Sequence, residues 1–153
     1  MSSHSCANAE QTIVVTCGLP GSGKSTYLAK LGAHPISSDA IRELLADDPT
    51  DQTIHVRVFA AIRYLVRQRL AIGKAVTYVD ATHLTPEERA PYIRLARAFK
   101  CRVEAVFFDV PVEVCQHRNN LRQRVVPPEV IAMMQAKLVP PSLEEGFDHI
   151  TAV

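Results

Sequence analysis

One short segment has the residue types and the spacing of a phosphate-binding loop. Gly18, Gly23, Lys24 and Ser25 follow the pattern G-x-x-x-x-G-K-[ST], whose glycines let the backbone curl so that successive N–H groups face phosphate oxygens. Lys24 is expected to reach the β- and γ-phosphates of ATP, and the Ser25 hydroxyl to ligate Mg²⁺. The predicted ATP-binding residues of this loop are Gly18, Leu19, Pro20, Gly21, Ser22, Gly23, Lys24, Ser25 and Thr26.

The surroundings of this loop argue against a chance match in a Gly- and Ser-rich turn. An apolar, β-branched strand is predicted at 12–17 directly before it and a helix at 25–31 directly after it, which is the context that the motif requires. A phosphate loop alone does not separate kinases, GTPases and motor ATPases. The chain has no N-K-x-D motif for reading guanine and, with 153 residues, is short for a motor, so a kinase is favoured.

Asp39 and Arg42 are candidates for handling the acceptor of the phosphate. Asp39 follows a short strand predicted at 35–38, and α/β sheets build their sites at the carboxyl ends of parallel strands. A carboxylate there can take the proton from an acceptor hydroxyl. Arg42 lies on the same helical face and can hold an acceptor phosphate. Equally, Asp39 could merely cap the helix predicted at 39–46.

Asp80 ends a further apolar strand, predicted at 75–79. This is the position of a carboxylate that acts on Mg²⁺ directly or through water; the alternatives are that it caps the next turn or orients Arg42. Thr82 and His83 follow and are the remaining candidates for lining the acceptor cleft. A lone histidine is more often structural.

Arg118, Arg122 and Arg124 form the densest basic cluster of the chain. Arg118 and Arg122 are neighbours on a helical face, and V-V-P-P at 125–128 predicts a bend before another helix. A helix–bend–helix segment at about 118–138 could act as a lid that excludes water and neutralises charge on the transferring phosphoryl group. The alternative is a solvated basic face.

Apolar segments of strand length alternate with longer helical segments along the chain, which is typical of a parallel α/β sheet. Further strands are predicted at 102–108 and, at an edge, at 147–153; further helices are predicted from Asp48 to Gly73, from Thr85 onward, at 111–120 and at 128–138. The helix that Asp48 caps is expected to bury an apolar stripe. That stripe consists of Ile54, Val58, Ile62, Leu65 and Ile72. The segment 85–88 is predicted to form a capping box, and Pro91 a kink or a restart of the helix.

The overall composition is that of an ordinary globular domain, with 47% hydrophobic and 22% charged residues. A net charge of +1 argues against a protein that coats nucleic acid, but not against an enzyme that holds the end of a strand. Residues 1–11 are predicted to be a disordered tail and 12–153 one domain. The four cysteines form no metal-ligand pattern and no apolar run reaches membrane-spanning length, which favours a cytoplasmic protein.

Five motifs, taken in order, resemble the 5′-kinase module of phage and bacterial polynucleotide kinases, within the zeta-toxin-like, AAA-type group of P-loop kinases. They are GLPGSGKST at 18–26, SSDAIR at 37–42, VDATHL at 79–84, RNNLRQR at 118–124 and VPPEVI at 126–131. The resemblance covers about residues 12 to 150. It implies an adenylate-kinase-like α/β sandwich of three layers, with a parallel sheet of four or five strands in the central order 2-3-1-4 and a C-terminal helical lid.

The resemblance also implies an activity, since that family transfers the γ-phosphate of ATP to a 5′-OH end of RNA or DNA. The residues that match are Lys24 and Ser25 of the P-loop, Asp39 as general base, Arg42 on the acceptor strand, Arg122 as the essential lid arginine and Arg118 as its companion. His83 departs from the family, which often carries Asn after D-x-T. Related P-loop kinases phosphorylate nucleotides, nucleotide-sugars or sugars, so a small-molecule acceptor is the alternative, and a nucleotide-dependent binding module without transfer is the third.

Overall fold

The computed structural model of the protein describes residues 10–121 and 126–153. At its centre is a parallel sheet of five strands in the order β2-β3-β1-β4-β5. The strands are Thr12–Cys17 (β1), Ile36–Ser37 (β2), Val76–Asp80 (β3), Arg102–Phe107 (β4) and His149–Ala152 (β5). The predicted α/β fold and the central order 2-3-1-4 are confirmed, and the predicted edge strand is present with narrower bounds.

Six α-helices connect these strands within the described residues. They are Lys24–Lys30 (α1), Ser38–Ala46 (α2), His55–Ala71 (α3), Pro86–Phe99 (α4), Val112–Asn120 (α5) and Pro128–Lys137 (α6). A 3₁₀-helix at Leu143–Glu145, which the sequence analysis did not predict, precedes β5.

Helices cover both faces of the sheet. Ile13 and Val15 of β1 are fully buried in the core that contains residues of α3 and α4. Val14, which points to the opposite face, clusters instead with Val106 of β4 and with Tyr27 of α1. Burial on both faces explains why β1 is β-branched and largely apolar, without an alternation of polar and apolar residues.

The longest helix begins at His55, not after Asp48 as predicted. The Asp48 carboxylate accepts hydrogen bonds from the backbone N (2.9 Å) and the hydroxyl (2.7 Å) of Thr50. Asp51 does the same for Thr53, at 2.8 and 2.5 Å. These two turns offer the backbone an alternative to helical hydrogen bonds, so the helix starts beyond them.

The apolar stripe of α3 also differs from the prediction. Val58 and Ile62 are fully buried as expected, but the stripe continues through Val66 and Leu70. Leu65 is 37% and Ile72 71% exposed. The buried residues are four apart along the whole helix. The predicted Leu65 and Ile72 do not follow this spacing of four from Ile62, so they lie on another face.

Helix α4 runs from Pro86 to Phe99 without a restart at Pro91. The Thr85 hydroxyl accepts from the N–H of Glu88 (3.3 Å), as a capping residue should. The Glu88 carboxylate, however, accepts from the N–H of Leu84 (2.7 Å) rather than from that of Thr85. Only one half of the predicted capping box is therefore present.

Gln11 belongs to the fold rather than to a tail. Its side chain is buried, and Nε2 donates to the carbonyl oxygens of Leu70 (3.1 Å) and Lys74 (2.9 Å). Residues 1–9 of the predicted tail lie outside the described residues. Within the part of the chain that the structure describes, no helix is both long and apolar enough to cross a membrane.

Candidate active site

The carboxyl ends of β1, β2 and β3 meet at one edge of the sheet. Ser37 of β2 is in register with Asp80 of β3. The Thr16 hydroxyl donates to the carbonyl of Ala81 (2.8 Å) and accepts from its N–H (3.2 Å), and the N–H of Gly18 donates to the carbonyl of Thr82 (3.0 Å). These bonds hold the loops after β1 and β3 side by side, so the motifs at 18–26 and 79–84 come together.

The predicted phosphate loop has a conformation that its glycines permit. Gly21 has φ +83° and Gly23 φ +101°, values that side chains with a Cβ rarely adopt. A Cβ on Gly21 would in addition overlap the carbonyl oxygen of Cys115 in α5. The loop is therefore closely packed against α5, and at this position only glycine fits.

Two polar side chains of the loop, both lining the cleft, are candidates for contacting a phosphate. The Lys24 ammonium donates to the carbonyl oxygens of Gly18 (3.0 Å) and Leu19 (2.8 Å). The Ser22 hydroxyl is buried and finds no hydrogen-bond partner among the described residues. Because a buried hydroxyl without a partner is costly, a phosphate oxygen is a fitting ligand for this loop.

Ser25 and Asp80, the predicted metal pair, are in direct contact. The Ser25 hydroxyl donates to Oδ2 of Asp80 at 2.9 Å, and Asp80 is buried. Residues 10–121 and 126–153 contain no group of three or more His, Cys, Asp or Glu side chains that could hold a metal. Mg²⁺ is commonly bound by one or two carboxylates together with substrate phosphates, so this pair fits an ion whose other ligands are phosphate oxygens and water.

Asp39 and Arg42 lie on the first turns of α2. The N-cap of this helix is Ser37, whose hydroxyl accepts from the N–H of Ala40 (3.3 Å), so capping does not require Asp39. Asp39 Oδ1 lies 3.5 Å from the Arg42 guanidinium. The side chain of Arg42 is only 6% exposed, that of Asp39 51%. Arg42 Nε has no hydrogen-bond partner in the described part of the chain.

These groups line one cleft with a volume of about 1390 Å³. The residues of the sequence analysis that contribute to it are Pro20, Gly21, Ser22, Gly23, Lys24, Ser25, Thr26, Asp39, Arg42, Asp80, Thr82 and Arg118. The phosphate loop, the metal pair and the acceptor candidates thus open on a single space.

His83 does not line this cleft, although it was a candidate for its wall. It is 1% exposed, with a left-handed backbone at φ +45°. Nδ1 donates to the carbonyl of Thr16 (2.7 Å), and Nε2 lies 3.4 Å from the Tyr92 hydroxyl. Burial lowers the pKa of His83 to about 4, and the charges of Lys24 and Arg89 act in the same direction. The imidazole is therefore neutral near pH 7 and occupies a structural position.

Arg118 is the described member of the predicted lid cluster. Its guanidinium donates to the carbonyl of Ser22 (3.4 Å) and so lies over the phosphate loop. Beside it, the fully buried Asn119 amide donates to the carbonyl of Val126 (2.5 Å) and accepts from its N–H (3.1 Å). Arg122 and Arg124 lie outside the described residues.

Arg89 is a buried group that the sequence analysis missed. Its fully buried guanidinium donates two hydrogen bonds to the Glu145 carboxylate (2.9 and 2.8 Å) and one to the carbonyl of His83 (2.8 Å). It thereby joins α4, the 3₁₀-helix and the loop that carries Thr82. In the sequence Arg89 stands in a polar helical turn, and nothing there distinguishes it from a surface arginine.

Two rings of α3, His55 and Phe59, also line the cleft and were missed. Their only sequence signal is the spacing of four, which places two side chains on one helical face.

Comparison with known proteins identifies relatives over nearly the whole chain. A family model described as AAA domain matches residues 13–141. A bifunctional polynucleotide phosphatase/kinase of Schizosaccharomyces pombe is 24% identical over 159 residues, covering 98% of this chain and 35% of that protein. An L-seryl-tRNA(Sec) kinase of Homo sapiens is 38% identical over 87 residues, covering 56% of this chain and 25% of that protein. The chain thus spans about a third or less of the length of these curated relatives.

Solved structures share the fold. A chain of the Pnkp1/Rnl/Hen1 RNA repair complex superposes with a TM-score of 0.71 at 18% identity, covering 88% of this chain and 50% of that one. The APS kinase CysC of Mycobacterium tuberculosis, in complex with AMPPNP and APS, gives a TM-score of 0.57 at 20% identity, covering 94% and 89%. At 18% and 20% identity, the likeness to an RNA repair complex and to an APS kinase shows the fold alone.

Proposed function

We propose, for a chain that belongs to the AAA domain family of P-loop proteins, an ATP-dependent phosphotransferase activity directed at the 5′-OH end of RNA or DNA. Kinases among its relatives support the transfer reaction. The observation that carries the acceptor assignment is the buried Arg42 guanidinium, which lies beside Asp39 in the cleft that the phosphate loop opens on.

The donor side would be held by the phosphate loop. Lys24 lies over the loop that would enclose the phosphates, and Ser25 and Asp80 would together hold Mg²⁺. Such an ion, when bound, neutralises charge on the phosphates. Arg118, at the carbonyl of Ser22, is placed to add positive charge at the same phosphates. For Arg122 we propose the role that the family resemblance implies, that of the essential arginine of a lid over the phosphates.

The acceptor side would be held by α2. Asp39 would accept the proton of the attacking hydroxyl, because its exposed carboxylate opens on the cleft. Arg42 is almost completely desolvated, yet Nε has no partner within the described residues. An arginine in that state favours a ligand with a fixed negative charge, such as the phosphate that follows the terminal nucleoside of a strand. A neutral sugar would bring no negative charge to Nε, beyond the Asp39 carboxylate that already lies 3.5 Å from the guanidinium.

The size of the cleft is also compatible with two substrates. Pockets for one drug-sized ligand usually have volumes of about 300–1,000 Å³, and this cleft has about 1390 Å³. A small-molecule acceptor remains the competing function, and the similarity in fold to an APS kinase is what favours it.

The test is transfer of label from γ-labelled ATP with Mg²⁺ to a short 5′-OH oligonucleotide, offered beside nucleosides, nucleotides and sugars. We expect label on the oligonucleotide. Asp39→Asn should lower its turnover by roughly 10²- to 10⁴-fold, because a general base contributes about that much. ATP binding should persist, since Asp39 is assigned to the acceptor.

Glu43→Gln is the matched control. Glu43 lies on the same helix, is exposed and does not line the cleft, so this variant should keep full activity. Label that appears only on a small molecule would refute the polynucleotide acceptor. Near-normal turnover of Asp39→Asn would refute the base assignment.

A further inference from the structure

Two aromatic rings stand on the acceptor side of the cleft without a role in phosphate transfer. His55 and Phe59, on the first turns of α3, have ring centroids 4.7 Å apart and planes inclined by 42°. His55 is exposed and Phe59 half-buried, and both line the cleft that contains Asp39 and Arg42. Helices α2 and α3 pack against each other, so the ring pair and the acceptor residues belong to adjoining elements.

His55 and Phe59 are connected to the core through two further aromatic rings. Phe59 meets His83 edge-on, with centroids 6.3 Å apart and planes at 72°. His83 in turn meets Tyr92 of α4 at 5.1 Å and 76°. Because His83 is buried and bonded to the carbonyl of Thr16, this row of four rings ties His55 and Phe59 to β1 and α4. A surface held in this way loses little side-chain entropy when a flat ligand stacks on it.

We propose that His55 and Phe59 form the subsite for the nucleobase of the acceptor's 5′-terminal nucleoside, an inference that rests on the proposed function and extends it. A nucleobase stacks on aromatic rings whatever its identity, because each base has a π face. Arg42, on the adjoining helix, would at the same time hold the phosphate that links the first nucleoside to the second. A sugar acceptor offers neither a π face nor that phosphate, so the subsite selects strand ends of any sequence.

The experiment compares two 5′-OH oligonucleotides that differ only in their first nucleoside, one normal and one abasic. The wild-type protein should show a kcat/KM roughly 5- to 150-fold higher for the normal strand, because stacking of one base contributes about 1–3 kcal/mol. The double variant His55→Ala, Phe59→Leu should lose most of this preference. Its rate on the abasic strand should stay at the wild-type value, which also shows that the variant is folded.

Tyr64→Leu is the control for loss of an aromatic ring. Tyr64 lies on the same helix, 57% exposed, and does not line the cleft, so this variant should keep the full preference. Equal kcat/KM of the wild type on both strands overturns the subsite while the kinase assignment stands. An increase of the KM for ATP in the double variant, with the strand preference intact, also overturns it, since the rings would then serve the donor. Absence of transfer to either strand overturns the proposed function together with the subsite.

Discussion

His83 shows how one residue can stand within a predicted motif and still serve the core. The motif D-A-T-H at 80–83 made it an acceptor candidate, yet its ring lies beneath the cleft, between Thr16 and Tyr92. Burial is decided by contacts between distant segments, which spacing along the chain does not reveal. That Ser25 and Asp80 lie close together was predictable, because the loop after β1 and the last residue of β3 lie at the carboxyl ends of neighbouring parallel strands.

The low pKa of His83 makes stability depend on pH. Burial lowers it from the ordinary 6.5 to about 4, so below pH 6.5 the unfolded chain binds a proton that the folded protein excludes. Excluding this proton does not affect the free energy of unfolding above pH 6.5. Between pH 6.5 and pH 4 it lowers the free energy of unfolding by about 1.4 kcal/mol per pH unit. His83→Asn removes this cost, and Asn tolerates the left-handed φ of +45°.

We expect His83→Asn to be less stable than wild type at pH 7.5, because it loses ring contacts. The difference in free energy of unfolding between the two proteins should narrow by roughly 2 kcal/mol at pH 5, because only the wild type is destabilised by excluding a proton from His83. Urea unfolding at both pH values measures this. The exposed His34 supplies the control His34→Asn, whose gap should not change. A gap for His83→Asn that is independent of pH would contradict the assignment of a low pKa.

At the scale of elements, the sequence predicted the presence of helices and strands better than their ends. Strand β1 was predicted with its observed bounds because an apolar, β-branched run before a glycine loop has few other structures available. The start of α3 was predicted wrongly, because Asp48 has the residue type of an N-cap but forms a turn with Thr50. The two structures use the same side-chain acceptor, and local residues alone do not distinguish between them.

The Glu145 carboxylate of the 3₁₀-helix before β5 pairs with Arg89 across the fold and also accepts from the N–H of Ser142 (3.0 Å) in a local capping box. Glu145→Gln would replace with a neutral amide the only carboxylate that the described residues place against the fully buried Arg89. Leaving a charge unpaired in a core costs about 3–5 kcal/mol, so we expect a loss of free energy of unfolding toward the lower end, as the amide keeps one acceptor. Urea midpoints measure it. Glu144→Gln, at an exposed neighbouring position, should leave the midpoint unchanged, and equal midpoints for both variants would show that the pair is dispensable.

At the scale of the whole molecule, the alternation of apolar and amphipathic segments predicts a parallel sheet, whereas the strand order was implied by the family resemblance. The acceptor does not follow in the same way, because one fold serves kinases with different acceptors. The features that favour a strand end are the burial of Arg42 and the rings on α3. Both features lie where α2 and α3 pack against each other. A contact between two helices cannot be predicted from the sequence of either helix alone.

Ligand binding at the cleft should stabilise the whole protein, because the phosphate loop has its binding conformation only in the folded state. At an ATP·Mg²⁺ concentration of 100 times Kd, the free energy of unfolding should rise by about 2.7 kcal/mol. For a chain of this length, that corresponds to an increase in Tm of roughly 5–11 °C. Thermal unfolding with and without ATP·Mg²⁺ measures it.

Lys24→Ala should abolish most of this increase in Tm, since the ammonium that lies over the loop would be gone. Lys74→Ala removes the same charge from an exposed site that does not line the cleft and should keep the increase. Comparable increases in both variants would place the nucleotide away from the phosphate loop. An increase confined to wild type and Lys74→Ala would tie the rise in global stability to the contacts of the phosphate loop, and this result does not depend on the identity of the proposed acceptor.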